Sequence, residues 1–325
     1  MGKLKGKSFI NTLEFKPAEL EFLLDRAKAL KKSRGKKGKL PLAGKSVALV
    51  FFNPSLRTRV SFEVGIAELG GTAVTMSVGP ESWTLEYKEG AVMDQDKTEH
   101  IKDAARVLSR YVDAIAVRSF PGMKSYDEDM SDPVIEAFRK HASVPVINME
   151  SALWHPCQGM ADALTLQEKL GKIQGKKITL TWAYHPKALP MAVGNSFAAI
   201  VSQLGADLTV AHPKEFPLEK KFLDALPRPP RIVHSKAEGL EGAQAVYAKS
   251  WGGAAFYGKW DEEKKIREGL KSWICDAVPR GAVFMHCLPV RRNVEVADAV
   301  LDASAIYDEA ENRLHVQKAI LSELV

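Results

Sequence analysis

The sequence predicts an α/β protein built from two doubly wound domains with parallel sheets. Short apolar runs alternate along the chain with stretches whose apolar residues recur at helical spacing, and this alternation is typical of βαβ units. The chain has 325 residues, of which 46% are hydrophobic and 26% charged, a globular balance that excludes a disordered protein. At roughly 150 residues per domain, this length predicts two domains.

The apolar runs have the continuous hydrophobicity of strands that are buried on both faces, as strands of a parallel sheet are. In chain order the predicted strands are Val47–Phe52, Ala73–Met76, Ala114–Val117, Val144–Met149, Ile178–Trp182, Leu208–Ala211, Ala245–Ala248 and Val283–Met285. The predicted helices are Ser61–Leu69, His100–Tyr111, Pro133–His141, Met160–Leu170, Met191–Leu204 and Glu309–Leu324. An irregular stretch at 150–156 interrupts the alternation. It predicts domains at 1–150 and 151–307, with a terminal segment, 308–325, that can pack on either.

The charge and the cysteines narrow the class of protein. There are 46 lysines and arginines against 40 aspartates and glutamates, and the net charge of +6 suits an anionic small molecule as well as a nucleic acid. Cys157, Cys275 and Cys287 form neither a disulfide framework nor a zinc-binding pair, which favours a reducing compartment. The longest apolar runs are too short to span a bilayer. We therefore expect a cytoplasmic protein with no membrane partner and no metal.

Ligands of α/β proteins bind beyond the carboxyl ends of the strands, so functional residues are expected there. The first predicted strand runs up to Asn53, and Ser55 can cap the helix that follows. Arginine is disfavoured in a first helical turn because the helix N-terminus is already positive. Arg57 and Arg59 in that turn, beside Thr58, therefore indicate a phosphate held by backbone N–H groups, hydroxyls and a guanidinium. The alternative is a capped helix whose arginines face solvent.

Two further strand ends carry polar residues. Arg118 follows the third predicted strand, where it can reach the same crevice or form a surface ion pair. His155 and Gln158 enter a helix after the fourth strand, and both can donate a hydrogen bond to a developing oxyanion, although a lone histidine is more often structural. Cys157, between them, fits a small buried thiol better than a nucleophile.

The last predicted strand is followed by His286, Cys287, Leu288 and Pro289. A cis Leu288–Pro289 bond would turn nearby carbonyl oxygens outward, and the alternative is a proline that only ends the strand. A basic run at 31–39 has no interleaved aromatic residues, so it fits a solvated loop better than a nucleic-acid site.

Three of these segments, in this order and at these separations, resemble the motifs of the carbamoyltransferases. They are Phe52-Asn-Pro-Ser-Leu-Arg-Thr-Arg, His155-Pro-Cys-Gln and His286-Cys-Leu-Pro, and the similarity extends over essentially the whole chain. Within the family the sequence is most similar to the enzymes that act on N-acetylornithine. Ornithine carbamoyltransferases carry Ser-Met-Gly where this chain has Lys249-Ser-Trp-Gly, which argues against free ornithine as the acceptor.

The resemblance implies the carbamoyltransferase fold and a homotrimer whose active sites are shared between subunits. The first domain would bind carbamoyl phosphate, the second would bind N-acyl-L-ornithine, and the terminal helix would return to the first domain. No cofactor is implied. The residues implied for carbamoyl phosphate are Ser55, Leu56, Arg57, Thr58, Trp83 (from the neighbouring subunit), Arg118, His155, Pro156, Cys157, Gln158, Cys287, Leu288 and Arg313. Those implied for the acylornithine are Glu150, Lys249 and Leu288, and the expected catalytic residues are Arg57, Thr58, Arg118 and His155.

The implied reaction transfers a carbamoyl group from carbamoyl phosphate to the δ-amine of N-acetyl-L-ornithine, as a step of arginine biosynthesis. It requires that two substrates be held in line, that an oxyanion be stabilised and that the phosphate charge be neutralised. An alternative acceptor is N-succinyl-L-ornithine. The resemblance implies that a glutamate directly before Glu99 accompanies the acetyl substrate and a proline the succinyl substrate, and Thr98 matches neither. The wider sequence favours the acetyl substrate.

A hypothesis from another class is a non-catalytic, anion-binding regulatory protein on the same fold. Such a protein would keep the phosphate cradle and could lose the residues that bind the amine. The presence of Glu150, Lys249 and His155 disfavours it. Glu295 is a second departure from the acetyl-type enzymes, since the resemblance implies a lysine there that becomes carboxylated; a glutamate supplies that negative charge without modification.

Overall fold

The structure, a computed structural model, describes residues 4–325, so the start of the predicted first domain lies outside the described residues. The chain forms two compact units. Unit 1 contains the described residues up to Gly122 together with Asp127–Cys157 and Arg313–Val325, and unit 2 contains Met123–Tyr126 and Gln158–Asn312. The division after Cys157 differs from the predicted one at 150/151, because the loop after residue 150 is hydrogen-bonded to Asp132 of unit 1.

The helices alternate with the strands along the chain. They are α1 (Pro17–Lys32), α2 (Leu56–Glu68), α3 (Ile101–Leu108), α4 (Tyr126–Met130), α5 (Pro133–His141), α6 (Pro156–Leu170), α7 (Ala192–Gln203), α8 (Lys220–Asp224), α9 (Lys236–Leu240), α10 (Trp260–Glu268), α11 (Asp298–Asp302) and α12 (Ile306–Leu324). Short 3-10 turns lie at Thr12–Glu14, Ala254–Phe256 and Lys271–Trp273. Among the described residues, no helix is both long and apolar enough to cross a membrane.

Unit 1 is built on a parallel sheet. Its strands are β1 (Ser46–Phe51), β2 (Thr72–Ser77), β3 (Leu85–Glu86), β4 (Glu99–His100), β5 (Ala114–Arg118) and β6 (Val146–Glu150). Four of them pair in the order β2-β1-β5-β6, and β3 pairs with β4 in a separate parallel ladder. The chain goes from β1 to β2 on one side and then crosses to β5 on the other. The strand order therefore reverses between β1 and β5, which is the position where such sheets bind ligands.

Burial in this sheet follows the position of each strand. β5 and β6 are buried at every residue and β1 at every residue after Ser46, whereas the edge strand β2 has only exposed and half-buried residues. The outer edge of β6 is covered by Phe9, whose N–H donates to Val146 O at 2.8 Å and whose carbonyl accepts from Asn148 N at 2.9 Å. This cover removes the exposed backbone groups that an edge strand otherwise presents.

A glycine allows the end of α12 to lie close to α2. A Cβ atom at Gly65 would lie 3.2 Å from Lys318 Cγ and 3.3 Å from Leu314 Cδ1. The Lys318 ammonium also pairs with Glu68 of α2 at 2.6 Å. This packing fixes the part of α12 that belongs to unit 1, and with it the position of Arg313.

Unit 2 is built on a second parallel sheet. Its strands are β7 (Lys177–Trp182), β8 (Asp207–Ala211), β9 (Arg231–Val233), β10 (Ala245–Lys249) and β11 (Val283–Met285), in the order β11-β10-β7-β8-β9. Here the strand order reverses between β7 and β10. The helix that follows β7 in the chain, α7, is buried along its whole length.

The predicted fold class is confirmed, and the bounds of the eight predicted strands differ from the observed ones by at most two residues. β6 begins at Val146 rather than Val144, because Pro145 has no N–H to donate to the ladder. The short ladder β3–β4 has two residues per strand, too few for a periodic pattern to reveal. The edge strand β9 was also missed, since Arg231 and Ile232 are exposed.

Candidate active site

The N-terminus of α2 lies directly after β1, at the reversal of the unit 1 sheet. Ser55 is the N-cap, and its hydroxyl accepts a hydrogen bond from the N–H of Thr58 at 3.3 Å. The first turn of α2 contains no acidic residue. Leu56 is exposed, Arg57 is half-buried and Thr58 is buried. This helix start offers backbone N–H groups and a positive dipole end to an anion, as predicted.

The two arginines of this turn have different surroundings. Arg59 is exposed and pairs with Glu63 at 3.0 Å, and Glu63 also accepts a hydrogen bond from the Thr75 hydroxyl at 2.7 Å. The interpretation that both arginines indicate the anion is therefore wrong for Arg59, because an i,i+4 carboxylate already neutralises it. Arg57 is left as the arginine of this turn that fits the phosphate site.

Thr58 is the point at which two buried guanidinium groups of unit 1 meet. Its Oγ1 atom accepts from Arg313 Nη2 at 2.9 Å and lies 3.4 Å from Arg118 Nη1. Arg118 and Arg313 are only 8% and 3% exposed. Burying two cations around one hydroxyl is unfavourable unless negative charge is close, so this cluster is suited to a multiply charged anion.

Glu150 supplies negative charge to the same cluster. Its Oε2 atom lies 2.5 Å from Arg118 Nη1 and 3.4 Å from His155 Nε2. The register between β5 and β6 shifts at Arg118, which places this arginine opposite Glu150. Sequence reasoning grouped Glu150 with the acceptor and Arg118 with carbamoyl phosphate, and the structure brings these two residues into contact.

Asn53 and Phe120 join the two strand ends that border this cluster. The side-chain oxygen of Asn53, after β1, accepts from the N–H of Phe120, after β5, at 2.7 Å. The Phe120 ring lies 4.5 Å from the Arg118 guanidinium carbon, a cation–π contact that fixes the arginine from its other face. The geometry of Arg118 is therefore held by backbone and ring contacts as well as by Glu150.

Cys157 is not placed for nucleophilic chemistry. The side chain is fully buried, and its thiol donates to the carbonyl of Asn148 at 3.7 Å. Burial raises the pKa of this thiol to about 12, against a smaller opposing effect of Arg313, so it stays protonated at neutral pH. The interpretation of Cys157 as a small buried thiol is confirmed. Pro156 is the first residue of α6, a position where a missing N–H is tolerated.

Asp132 is a residue of unit 1 that sequence reasoning missed. It is buried, and its carboxylate accepts from the Ser151 hydroxyl at 2.5 Å and from the N–H of Ala152 at 3.1 Å. Burial raises its pKa to about 6, although these hydrogen bonds oppose the shift. The carboxylate fixes the loop between Glu150 and His155. Its long-range partners gave no signal in the sequence.

Trp83 and Thr98 lie on the same extended loop of unit 1. Trp83 is 63% exposed, and the next residue, Thr84, accepts a hydrogen bond at its carbonyl from the N–H of Thr98 at 3.2 Å. Thr98 is exposed as well. The structure therefore does not bring either side chain to the Thr58 cluster of its own unit.

In unit 2, Lys249 and His185 lie at the reversal between β7 and β10. Lys249 is the last residue of β10 and is buried. His185 Nε2 accepts from Arg291 Nε at 3.2 Å, and its Nδ1 lies 2.9 Å from the carbonyl of Lys187. The N–H of Lys187 also donates to His185 Nδ1 at 3.0 Å, and burial lowers the pKa of His185, in keeping with a neutral ring.

The segment that follows β11 contains the cis peptide bond that was considered for Leu288–Pro289. The Leu288–Pro289 bond is cis, and Leu288 has a φ of 53°. The N–H of Leu288 donates to His286 Nδ1 at 3.0 Å, so the proton of that ring is on Nε2, 3.8 Å from Glu295. Burial raises the pKa of Glu295, but His286 and the charge of Lys249 outweigh it and hold this pKa below its ordinary value. Glu295 is thus a buried anion.

Gln158 is placed differently from the prediction. Its side-chain nitrogen, Nε2, donates to Asp162 Oδ1 and to Glu309 Oε1, both at 2.8 Å. An amide nitrogen has two N–H bonds, so the two acidic side chains use both. The interpretation that Gln158 donates to an oxyanion is therefore wrong, because its donors are already engaged within unit 2.

Arg267 organises the two loops of unit 2 that carry His185 and Lys249. Its guanidinium donates to the carbonyl of His185 at 3.1 Å, to the Ser250 hydroxyl at 3.1 Å and to the carbonyl of Trp251 at 2.8 Å. Glu263 pairs with it at 2.6 Å. Burial lowers the pKa of Arg267 and raises that of Glu263, so mutual attraction has to offset the cost of desolvating both. Sequence reasoning missed this pair.

Comparisons with known proteins agree with this arrangement. The family model for the carbamoyl-P binding domain of aspartate/ornithine carbamoyltransferase matches residues 7–168, and that for the Asp/Orn binding domain matches residues 158–324. The N-acetylornithine carbamoyltransferase of Xanthomonas campestris is 47% identical, over 98% of each chain. The N-succinylornithine carbamoyltransferase of Bacteroides fragilis is 36% identical, over 94% of this chain and 95% of the other.

Solved structures give the same result. The crystal structure of an acetylornithine transcarbamylase complexed with acetylcitrulline has a TM-score of 0.93 and 45% identity to this protein, covering 98% of this chain and 99% of the other. Together with the two domain matches and the Thr58 cluster at the sheet reversal, this similarity shows that the chain belongs to the aspartate/ornithine carbamoyltransferase family.

Proposed function

We propose that the protein transfers the carbamoyl group of carbamoyl phosphate to the δ-amine of N-acetyl-L-ornithine, giving N-acetyl-L-citrulline and phosphate. The observation that carries this proposal is the meeting of Arg118 and Arg313 at Thr58 Oγ1, next to the start of α2. The greater similarity to the acetylornithine enzyme than to the succinylornithine enzyme supports the acetyl acceptor. The reaction belongs to arginine biosynthesis, in the cytoplasm.

In this proposal the phosphate lies at the start of α2. The backbone N–H groups of Leu56, Arg57 and Thr58 and the Ser55 hydroxyl bind its oxygens, and the Arg57 guanidinium neutralises its charge. Exposure of Leu56 and the absence of an acidic residue from this turn support an anion there. Unit 1 is accordingly the carbamoyl phosphate-binding part and unit 2 the acylornithine-binding part.

The carbamoyl group lies beside Thr58. Arg118, Thr58 and His155 stabilise the oxygen of the carbonyl group as it becomes an oxyanion, and Arg313 adds charge on the phosphate side. Gln158 contacts the carbamoyl group, and the backbone carbonyls of Cys287 and Leu288 accept hydrogen bonds from its NH2. Pro156 and Cys157 shape the backbone between His155 and Gln158.

The acceptor amine attacks the carbonyl carbon, and its lone pair forms the new C–N bond. The tetrahedral intermediate then loses phosphate as the bond between carbon and the bridging oxygen breaks, and the amine proton passes to that phosphate. Glu150 orients the amine, Lys249 binds a carboxylate of the acylornithine, and Leu288 contacts its chain. Fixing both substrates in line supplies much of the acceleration, since it replaces an encounter by a step within one complex.

A homotrimer with shared active sites completes the proposal. Trp83 is 63% exposed on a loop of unit 1, as expected for a side chain that contributes to a site of a neighbouring subunit. Thr98 is hydrogen-bonded through its backbone to the residue after Trp83, so the same loop carries the residue proposed to contact the acyl group.

N-succinyl-L-ornithine is the second candidate acceptor. Thr98 has no charge to repel the succinyl carboxylate, so electrostatics permits this substrate. A product assay with carbamoyl phosphate and, in parallel, ornithine, N-acetylornithine and N-succinylornithine tests the acceptor. We expect the highest kcat/KM with N-acetylornithine. A higher value with N-succinylornithine would reverse the assignment, and no turnover with any acceptor would contradict the enzymatic function.

Subunit mixing tests the shared site. Trp83→Ala and Arg57→Ala trimers are each expected to be inactive, and reassembled mixed trimers should regain activity, because some sites then combine an intact Arg57 with an intact Trp83. Mixed trimers that are verified by mass and show no recovery would contradict the sharing.

A further inference from the structure

A cavity in unit 2 has no part in the proposed reaction. Its volume is about 520 Å³, a size that is typical of small-ligand sites. Its apolar lining comes from Met123, Phe256, Tyr257 and Trp260. The Trp260 side chain is 40% exposed, so part of this apolar surface is open to solvent. The cavity therefore offers aromatic walls on which a planar apolar group can pack.

Two segments that are distant in the sequence form these walls, and direct contacts hold them together. The N–H of Gly258 donates to the carbonyl of Met123 at 3.4 Å, and the rings of Tyr126 and Tyr257 meet edge to face at 5.2 Å. Gly258 has a φ of 73°, and a Cβ atom there would lie 3.3 Å from the carbonyl oxygen of Lys124. A glycine thus permits the close approach of the two segments. Because the walls are preformed, a ligand does not have to order them.

The charge of the cavity is positive. Lys124 and Lys187 line it, and both are exposed, so that their ammonium groups lie on its open side. In the described part of the chain, neither ammonium group has an ion-pair partner. Glu263 also lines the cavity, but its Oε1 atom already accepts from Nε and Nη2 of Arg267, at 2.8 and 2.6 Å. Two cations that no acid balances, beside an apolar surface, suit a ligand with an anionic group attached to a ring.

We propose that this cavity binds a small aromatic carboxylate, with its ring against Phe256 and Trp260 and its carboxylate beside Lys124 and Lys187. The ring buries apolar surface and packs on the aromatic walls. The carboxylate is attracted by the two ammonium groups, whereas a neutral ligand of the same shape lacks this attraction and a cationic one is repelled. None of the lining residues belongs to those proposed for carbamoyl phosphate or the acylornithine.

Three ligands with the same ring and different charges test the site. Indole-3-acetate is the anion, indole-3-acetamide is the neutral ligand and tryptamine is the cation. Their dissociation constants are measured by calorimetry on the full-length protein. We expect indole-3-acetate to bind about tenfold more tightly than the amide, in line with two exposed ion pairs, and tryptamine to bind more weakly than either.

The lysine variants test the charged side of the cavity. Lys124→Met and Lys187→Met each remove one charge and keep an apolar stem. Each should weaken indole-3-acetate by about threefold and change the amide by no more than about twofold, and the double variant should bind the acid and the amide about equally. The control is Lys264→Met, since Lys264 is an exposed residue of α10, as Trp260 is, and does not line the cavity.

Trp260→Ala tests the apolar wall. It should weaken indole-3-acetate and the amide by the same factor, about tenfold, because both lose the ring contact. Trp260→Phe keeps an aromatic ring and should bind both within about threefold of the parent.

Several results would overturn the proposal. The parent protein binds indole-3-acetate no more tightly than the amide, or binds neither at millimolar concentration. The double lysine variant keeps the full preference for the anion, or Trp260→Ala binds as the parent does. Displacement of indole-3-acetate by saturating N-acetyl-L-ornithine or carbamoyl phosphate would place it in the proposed active site instead. Because every readout is binding of an indole ligand, failure of carbamoyl transfer would contradict the proposed function alone.

Discussion

Two buried carboxyl groups, Glu150 of unit 1 and Glu309 of unit 2, are accommodated in opposite ways. In unit 1, Glu150 lies between Arg118 and His155, so its negative charge is balanced by the Arg118 guanidinium. In unit 2, Glu309 lies beside another acid and neutral donors, and burial favours its protonated form. Both arrangements avoid an isolated buried charge. The first leaves a strongly positive cluster that suits a phosphate, and the second leaves a rigid frame of hydrogen bonds. A carboxyl group can thus be buried either beside a cation, as an anion, or beside neutral donors, with its proton retained.

The largest expected effect tests the cationic side of this comparison. Arg57→Ala should abolish carbamoyl phosphate turnover and leave the fold intact, because a charge-assisted contact worth roughly 1.5–3 kcal/mol is lost, and more where charge develops in the transition state. Arg59→Ala is the matched control from the same helical turn. Since Arg59 pairs with Glu63 instead, that variant should retain nearly normal kcat/KM. Near-normal activity in Arg57→Ala would remove this arginine from the phosphate site.

Unit 2 also contains the buried ion pair of Arg267 and Glu263, in which a carboxyl group is balanced by a cation as in unit 1. Arg267→Met should lower the free energy of unfolding by roughly 3–5 kcal/mol, because it leaves Glu263 buried without its partner. The double variant with Glu263→Gln should be more stable than Arg267→Met alone, and exposed Lys264→Met is the control. Urea denaturation measures these changes. The KM for the acylornithine should rise more than that for carbamoyl phosphate, and the reverse order would mean that Arg267 does not serve the Lys249 loop.

Asp132 is a further test of the comparison. It is a buried acid of unit 1, but its carboxyl group accepts hydrogen bonds from uncharged donors, the Ser151 hydroxyl and the Ala152 N–H. Its pKa is raised from 3.8 to about 6, so the folded protein holds this proton more tightly than the unfolded chain. The free energy of unfolding should therefore fall by roughly 3 kcal/mol as the pH rises from about 4 to about 6, and stay constant above that.

Asp132→Asn should remove this part of the pH dependence. Denaturation curves measured between pH 4 and pH 8 give the difference between parent and variant, and exposed Asp25→Asn serves as the control. Equal slopes for the parent and Asp132→Asn would show that Asp132 does not titrate in this range.

The smallest expected effect concerns the acyl group. Thr98→Glu should disfavour N-succinylornithine relative to N-acetylornithine, because the new carboxylate repels the succinyl carboxylate. Thr98 is exposed, so the repulsion at about 4 Å is closer to about 1 kcal/mol, the value in water, than to the roughly 4 kcal/mol of a partly desolvated pocket. The quantity to compare is the ratio of the two kcat/KM values. With measurable parent activity on both acceptors, an unchanged ratio would mean that Thr98 does not face the acyl group.

Some features of this protein follow from local sequence alone. The apolar runs predicted the strands, and Ser55 was predicted as the N-cap of α2. A cis peptide bond before Pro289 was one of the two conformations expected for a proline at a strand end. These features depend on residues within one or two turns of the chain, where periodicity and backbone sterics act directly. The fold class belongs to this group, and so does the helix start at which we propose that the phosphate binds.

Other features were decided only by the tertiary structure. Arg57 and Arg59 cannot be distinguished as phosphate ligands from the sequence. In the structure Arg59 pairs with Glu63, one helical turn further along α2. The orientation of Gln158 depends on Glu309, which lies 151 residues further along the chain. The sequence determines which groups can donate and accept hydrogen bonds. Which of them meet is set by the packing of distant elements, because a buried polar group has to take the partner that the fold places beside it.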